Sequence, residues 1–488
     1  MYTIDQVLKN SNQSTDDLQD RDRKNITLLI KTVLEDKEAK KLADARVDVN
    51  VVDRLIGEID NLIGAQIDAV LHQPQFQEIE AAWRGLRFLL DRTDFRAAGR
   101  VFIRFLDVSK DDLIADFERG GVGADADVTK SDFYYRIYRQ GIGQRGADPV
   151  AAILGNFTFG SGARDLNLLR NIAKVSAMAH APFIAAPSPD LLSVKSFDEL
   201  PAQRDIRAIF DDDVKYAEWN SFRDSEDARY VGLALPRFLL RRPYSPDQIP
   251  TKSFRYRENA GPDKTPYLWG NASFAFGTRL TDSFTRWGWC PNIIGPNSGG
   301  EVDKLILHRY EKGGRKEVMV PTEILIPDRL DLELSEAGFI SLVMRKGSDN
   351  AAFVAANSPQ RNKVFGDTSE GRQATLNHKL GAQLPYMFIV NRIAHYIKVL
   401  QREKLGGWAD RVSLEKELNE WLRQYIANMP NPSPEIRSRK PLRDAKITVS
   451  EVEDEPGWYT VGMWITPHFK YMGADFTISL TGRLEKTK

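Results

Sequence analysis

The sequence predicts a mixed α/β protein of several domains: a helical hairpin, a central βαβ region, and antiparallel strands at the C-terminus. Three patterns carry that expectation. Apolar residues between 52 and 90 recur every three or four positions, the period of a helix face. Residues 150–187 read as an apolar run, an amphipathic helix and a second apolar run. From Ile447 onward apolar and polar residues alternate, the period of a half-buried strand. At 488 residues the chain exceeds one simple core, so two or three domains are expected. The composition shifts place boundaries at 1–45, 46–95, 96–380 and 381–488.

Residues 1–45 are polar, with a modest apolar set at Ile26, Leu28, Leu29, Ile30, Val33 and Leu34. They read as a short amphipathic helix on a loosely attached arm. Asp48 or Asn50 then caps a long helix whose stripe is Val52, Leu55, Ile56, Ile59, Leu62, Ile63, Ile67 and Val70. The HQP break at 72–74 turns the chain into a second, antiparallel helix. Its apolar positions Phe76, Ile79, Trp83, Leu86 and Leu90 are spaced 3, 4, 3, 4. Pro74 suits a first turn, and Glu78 and Glu80 suit the positive helix end. Trp83 is expected to be a core anchor. Burying a Trp removes roughly 150–250 Å² from water, which contributes at most about 4–6 kcal/mol. Gly85 in mid-helix costs about 1 kcal/mol against Ala, so another backbone or bulky group is expected to pass close by.

Val101, Ile103 and Phe105 alternate and predict a strand within 95–109. A helix near 110–118 and a polar loop at 119–131 follow. VAAILGNFTF and PFIAAP read as strands around the helix DLNLLRNIAKVSAMAH, a βαβ unit with a right-handed crossover. SFAFGTRLTDSFTRWGW reads as a helix, PTEILIP and FISLVMRKG as strands, and DRLDLELSEAG as a helix ended by Gly338.

Residues 384–407 form a further helix, with Pro385 near its start and Gly406 past its end. SLEKELNEWLRQYIANM follows, with Leu414, Leu418, Trp421, Leu422, Tyr425 and Met429 on one face. MPNPSPEIRSRKP reads as a proline-rich linker. Then Ile447 and Val449 alternate, as do Tyr459, Val461, Met463 and Ile465, then Phe469 and Tyr471, then Phe476, Ile478 and Leu480. This is a meander of four short strands with no helix of its own to cover it. Its open edge must be blunted or used for pairing.

Composition excludes several function classes. Lys and Arg total 68, as do Asp and Glu, so no charge excess points to nucleic acid. Mean hydropathy is −0.41 and no apolar run is long enough to cross a bilayer. MYTIDQVLKNSNQSTDD lacks the order of a signal peptide, so a cytoplasmic protein is expected. Cys290 is the sole cysteine, which rules out an internal disulfide and a Cys-based zinc site. The six His show no HExxH and no close pair, so no metal is expected.

GIGQRG at 141–146 fits G-x-G-x-x-G, but an apolar strand follows it instead of a helix, and Asp165 reads better as a helix cap than as a ribose ligand. No Walker A string occurs. Cys290 reads as a buried, inert thiol, and His180 and His395 as structural groups. Asp211, Asp212 and Asp213 form a solvated run, and RSRKPLR is a local basic stretch. These patterns assemble no active site, so no catalytic residue and no cofactor is expected. The second reading is a nucleotide-binding α/β enzyme using the 141–146 loop.

FQEIEAAWRGLRFLL resembles a helix signature of the large sheath subunit of type VI secretion systems, the TssC/VipB family. LGNFTF with DLNLLRNIAKVSAMAHAPFIAAPSP, WNSFRDSEDARYVGLALPRFLLRRPY and YLWGNASFAFGTRLTDSFTRWGWCPNI are similar to later blocks of that family. PTEILIPDRLDLELSEAGFISLV, LPYMFIVNRIAHYIKV, KPLRDAKITV and PGWYTVGMWITPHF continue in its order, so the likeness spans roughly residues 50–482. It implies a structural, non-enzymatic protein with a contractile tail-sheath-like fold. It implies partners: a small sheath subunit of TssB/VipA type, further copies of the chain, an inner Hcp tube and a baseplate. In many members a ClpV-type AAA+ unfoldase grips an N-terminal helix. Here residues 1–45 are either that helix or an arm packing on the lattice. The likeness places the hairpin in an inner core, 96–380 in the middle and outer wall, and the C-terminal region 381–488 in the inner layer. Phe76, Ile79, Trp83, Leu86, Leu90, Leu418, Trp421 and Tyr425 then fall at the core helices and heterodimer contact. Ile447, Val449, Tyr459, Val461, Met463, Ile465, Phe476, Ile478 and Leu480 fall in strands exchanged between subunits.

Overall fold

The computed structural model describes residues 49–96, 101–121, 126–144, 146–211, 214–247, 249, 251, 254–403, 411–429, 431–451, 459–468 and 478–484. The expected arm at 1–45, Asp48, Phe469, Tyr471 and Phe476 lie outside them. The fold is mixed α/β, as the sequence predicts. The chain divides into two units, Met1–Phe76 with Pro243–Ala260, and Gln77–Arg242 with Gly261–Lys488.

The first unit holds α1, Val49–Leu71, with Asn50 inside the helix instead of capping it. Tyr256 and Asn259 are tied to its last turns. The Tyr256 hydroxyl donates to Asp68 at 2.5 Å, and the Asn259 N–H donates to the other Asp68 oxygen at 3.3 Å. Glu258 accepts from the Tyr244 N–H at 2.9 Å and pairs with His72 at 3.1 Å. The chain breaks after Leu71 and resumes as α2, Pro74–Asp91, with proline in the first position as predicted.

In the second unit, residues 101–109 form no strand, contrary to the alternation at Val101, Ile103 and Phe105. A strand needs a ladder partner, and none of the described residues supplies one. Ser109 then opens α3, Lys110–Glu118, through a capping box with Asp112. Residues 132–142 are helical, with a π-helical stretch at Tyr135–Arg139 that the sequence reading missed.

The predicted βαβ unit is present: β1, Ile153–Phe159, then α4, Ala163–Ala179, then β2, Phe183–Pro187. β1 and β2 pair in parallel, Ile153 opposite Phe183. Helix α5, Ala217–Asp224, and strand β3, Val231–Leu235, follow, then the short pair β4, Phe238–Leu239, and β5, Trp269–Gly270. α6 is Ala272–Trp287, with Gly288 ending it at positive φ. β6, Glu301–Val302, precedes a hairpin of β7, His308–Lys312, and β8, Arg315–Met319. PTEILIP is not a strand; only Thr322 bridges, to Phe238. α7, Asp328–Glu336, leads through Gly338 at positive φ into β9, Phe339–Met344, and β10 is Ala351–Phe353.

The main sheet has the order β1-β2-β3-β9-β10-β6, in which the first four strands pair in parallel and β10 pairs antiparallel with both β9 and β6. Its strands alternate between two buried faces. Phe183, Ala185, Val231, Leu233 and Phe339 join one core cluster with α4, whose Leu166, Leu169 and Ile172 are fully covered. Ile184, Ala234, Ile340 and Leu342 join another with α6. A sheet covered on both sides has no polar face, which is why these strands read as continuous apolar runs.

A C-terminal layer packs around a third cluster. It comprises α8, Ser369–Gly381, α9, Leu384–Glu403, α10, Arg411–Arg423, and α11, Pro434–Arg439. α11 is a helical turn inside the expected linker, capped by Ser433. The sheet is β11, Leu442–Glu451, β12, Tyr459–Pro467, and β13, Ile478–Leu484, all antiparallel. The expected meander is thus three strands among the described residues.

Two histidines meet where α4 ends against α9. His395 donates from Nε2 to the Ala179 carbonyl at 2.7 Å, and its ring lies 6.1 Å from that of His180. Burial, with Lys398 and Arg392 nearby, holds His395 down at about 4. Burial lowers His180 in the same way. The unfolded imidazole titrates near 6.5, so between about pH 6.5 and 4 only the unfolded state takes up the proton. Stability therefore falls as pH drops through that window. Thermal melts should show a lower Tm at pH 5.0 than at pH 7.5, with a smaller drop in His395→Gln; an equal drop in the variant would assign the effect to other groups.

Candidate interaction surfaces

From Gln77 onward helix α2 belongs to the second unit and packs within it through its small face. Phe274 of α6 sits against Gly85 so closely that a Cβ there would lie 2.5 Å from the ring. The bulky close neighbour expected from the mid-helix glycine is there. Leu89 is buried one turn on. The Glu80 carboxylate takes hydrogen bonds from Arg84 at 2.6 Å and from the buried Arg241 at 3.0 Å. A buried arginine needs such a partner, because its unpaired charge would be costly. These contacts set the rotation of the helix about its axis.

That rotation turns the larger apolar stripe outward. Trp83 lies two residues, about 200°, around the helix from Gly85. It is 64% exposed and Ile79 is 61% exposed. Phe76 and Leu90 are also exposed, and Leu86 is half-buried against the core. Trp83 is therefore no core anchor, a correction to the sequence reading. Two apolar faces compete on this helix, and the one containing glycine permits the closer approach. The Trp83 ring lies 6.0 Å from that of Phe105, which is exposed together with Phe102 and Leu106. Clustered exposed aromatics of this kind mark contact sites. In the first unit, Ile56, Leu62, Ile63 and Val70 of α1 are also exposed.

The C-terminal layer differs. Leu418 is buried, and Trp421 and Tyr425 pack partly buried beside it. Trp421 and Tyr425 meet edge to face at 5.2 Å, as Trp289 and Tyr425 do at 5.1 Å. Ile447, Val449, Val461, Met463 and Ile465 are buried beneath Leu418 and Leu422, with Tyr459 packed at the margin. The sheet thus has a helical cover, contrary to the expectation of none: α10 lies on β11 because both present apolar residues on facing sides. Ile478 and Leu480 belong to β13, opposite Ile465 and Met463. Trp464 is exposed on the other sheet face.

No arrangement of the described residues supports the nucleotide reading. Residues 141–144 close a helix, and the carbonyls of Ile142 and Gln144 are held by Arg402 at 3.0 and 2.6 Å. A phosphate cradle needs free N–H groups at a helix start. Asp165 is not the helix cap, which is Gly162; its carboxylate accepts from the Gly160 N–H at 2.8 Å and pairs with Lys110 at 2.7 Å. Burial pushes the Cys290 thiol up to about 12, which leaves it protonated and inert. A cavity of about 430 Å³ is lined by Arg207, Asp211, Arg223, Glu336 and Arg361, and it holds no nucleophile beside a base. No group of three or more metal-ligating side chains occurs among the described residues, and no helix there is long and apolar enough to cross a membrane.

Comparison with known proteins decides the family. The VipB family profile, described as the EvpB/VC_A0108 tail sheath N-terminal domain, matches residues 53–360. Its companion, the EvpB/VC_A0108 tail sheath gpW/gp25-like domain, matches residues 373–484. The type VI secretion system sheath protein TssC1 of Pseudomonas aeruginosa is 34% identical over 473 residues, 96% of this chain and 93% of the relative. The chain belongs to the VipB family of type VI secretion sheath proteins. The resemblance seen at FQEIEAAWRGLRFLL is borne out. VipB proteins are structural sheath subunits, not a family of enzymes. The C-terminal layer around β11–β13 falls within the family's gpW/gp25-like domain.

The two faces of α2 separate by substitution. Trp83→Ala should change stability by no more than about 0.5 kcal/mol, as for most exposed sites. Gly85→Val, which drives a side chain into Phe274, should cost about 1–3 kcal/mol. Denaturant unfolding of both variants checks this; a large loss in Trp83→Ala alone would put the core on the other face.

Proposed function

We propose that this chain is the large subunit of a contractile sheath that pairs with a small subunit, polymerises helically around an Hcp tube, and contracts to drive that tube out of the cell. The observation that carries the reading is the outward apolar stripe of α2 beside Phe105. Phe76, Ile79, Trp83, Leu86 and Leu90 supply the heterodimer contact in this reading. Residues 101–109, alternating in sequence but without a ladder partner among the described residues, fit a strand completed by another chain.

The C-terminal sheet supplies the second connection. Among the described residues β13 ends the sheet, so its outer backbone groups can take a strand from a neighbouring subunit. Ile447, Val449, Val461, Met463 and Ile465 hold that sheet to the body, backed by Leu418, Trp421 and Tyr425. Main-chain pairing lets subunits shift without separating. The work of contraction comes from a metastable extended lattice, so no catalytic centre and no cofactor is needed. The protein acts in the cytoplasm, anchored through a baseplate, and residues 1–45 are either the segment a ClpV-type unfoldase grips to recycle contracted sheath or an arm that packs on the lattice.

Co-expression with the small subunit followed by negative-stain electron microscopy tests this. Hollow tubules are expected from the full chain. A chain ending after Pro467 keeps the buried β11–β12 pair and should remain folded but form no tubules. Removal from Ala445 onward would strip the third core cluster and is no clean test. Discrete globular particles from the full chain, or tubules that survive loss of β13, would count against the reading.

A further inference from the structure

The outer edge of β11 is already occupied, and by side chains. A strand at the end of a sheet leaves every second residue with its N–H and C=O pointing outward. On β11 these include Ile447 and Val449. Asn419 of α10 reads Ile447 as a neighbouring strand would: its Nδ2 donates to the Ile447 carbonyl at 2.7 Å, and its Oδ1 accepts from the Ile447 N–H at 3.0 Å. Glu415, one turn earlier, accepts from the Val449 N–H at 3.0 Å. Arg411, a further turn back, donates to the Val449 carbonyl at 3.4 Å and pairs with Glu415 at 3.8 Å.

The spacing makes this possible. Four residues of helix rise about 6 Å, and two residues of strand advance about 6.8 Å. Positions 411, 415 and 419 therefore form one row on α10 that runs antiparallel along β11. The beginning of the strand is closed by backbone instead. The Leu442 N–H donates to the Tyr425 carbonyl at 3.3 Å, and the Ala427 N–H donates to the Leu442 carbonyl at 2.9 Å. A register shift between Leu442 and Asp444 brings Leu442 onto the same outer side as Ile447 and Val449.

We infer that Arg411, Glu415 and Asn419 form a side-chain plug that seals the β11 edge, so that this sheet accepts a strand from another sheath chain only at β13. The inference rests on the strand-pairing reading given above. The parity of the ladder states which groups remain. Since Ile447 points away from β12, Met463 points toward β13 and pairs with Leu480. The outward backbone groups of β13 are then those of Ser479, Thr481 and Arg483. A sheet open on one edge adds one strand and stops. A sheet open on both could join two copies of this chain edge to edge, a contact outside the sheath lattice.

Hydrogen exchange with mass-spectrometric fragmentation, on the full chain co-expressed with its small partner, reads the plug amide by amide. Asn419→Ala should speed exchange at Ile447 by roughly three- to tenfold and leave Val449 slow, the change expected for one ordinary hydrogen bond. Glu415→Ala should do the converse, and Glu415→Gln, which keeps an acceptor, should restore slow exchange. Expressed without the small partner, the double variant Glu415→Ala/Asn419→Ala should sediment as a larger species than the unsubstituted chain at equal concentration. Unchanged exchange at both amides in the single variants, or an unchanged sedimentation coefficient in a folded double variant, would overturn the plug. Tubule formation is not the readout, so loss of the strand-pairing reading alone would leave the exchange result standing.

Discussion

Phe274 in the notch at Gly85 is the contact on which the outer surface of this protein depends. A helix can press only one face against its domain. On α2 the chosen face is the small one, because glycine lets the α6 ring approach where any side chain would collide. The Glu80 carboxylate, shared between Arg84 and Arg241, holds the same rotation by charge. The larger apolar face is then left to solvent, where Ile79 and Trp83 stand beside Phe105. A surface of that kind is unfavourable in a lone chain and sensible in one built to be covered.

The C-terminal layer solves the opposite problem. Its sheet needs support on one face, closure on one edge and freedom on the other. α10 supplies two of these from two faces. Leu418 and Leu422 cover the buried residues of β11 and β12, while Glu415 and Asn419 finish the hydrogen bonds of the β11 edge. One helix thereby fixes both the tilt of the sheet and the side from which it can grow. The aromatic group of Trp289, Tyr396, Trp421 and Tyr425 anchors that helix to α9.

Much of the fold was legible in the sequence, because the signals were local. β1–α4–β2, α6, α7 with Gly338, and the alternation of β11 and β12 follow from period and capping. The family followed from contiguous residue blocks. What failed was non-local. Periodicity marks an apolar face but not what lies against it, so Trp83 read as core when Gly85, Leu89 and Phe274 decided otherwise. Alternation at 101–105 predicts a strand, yet a strand exists only with a partner. PTEILIP is apolar because Ile324 and Ile326 join a core cluster, not because it pairs in a sheet. The Asn419 contacts had no sequence signal beyond a polar residue beside Leu418, since only the fold brings α10 alongside β11. The helical turn of α11 was hidden by the prolines around it, although Pro434 sits at a helix start, where proline is tolerated.

In the assembled sheath, another chain is expected to cover the outward face of α2. Hydroxyl-radical footprinting with mass spectrometry measures it directly, by comparing oxidation of Trp83 before and after assembly with the small subunit. Rapid oxidation of Trp83 is expected in the unassembled chain, and strong protection in tubules. Equal oxidation in both states would contradict that coverage and would move the contact elsewhere on the molecule.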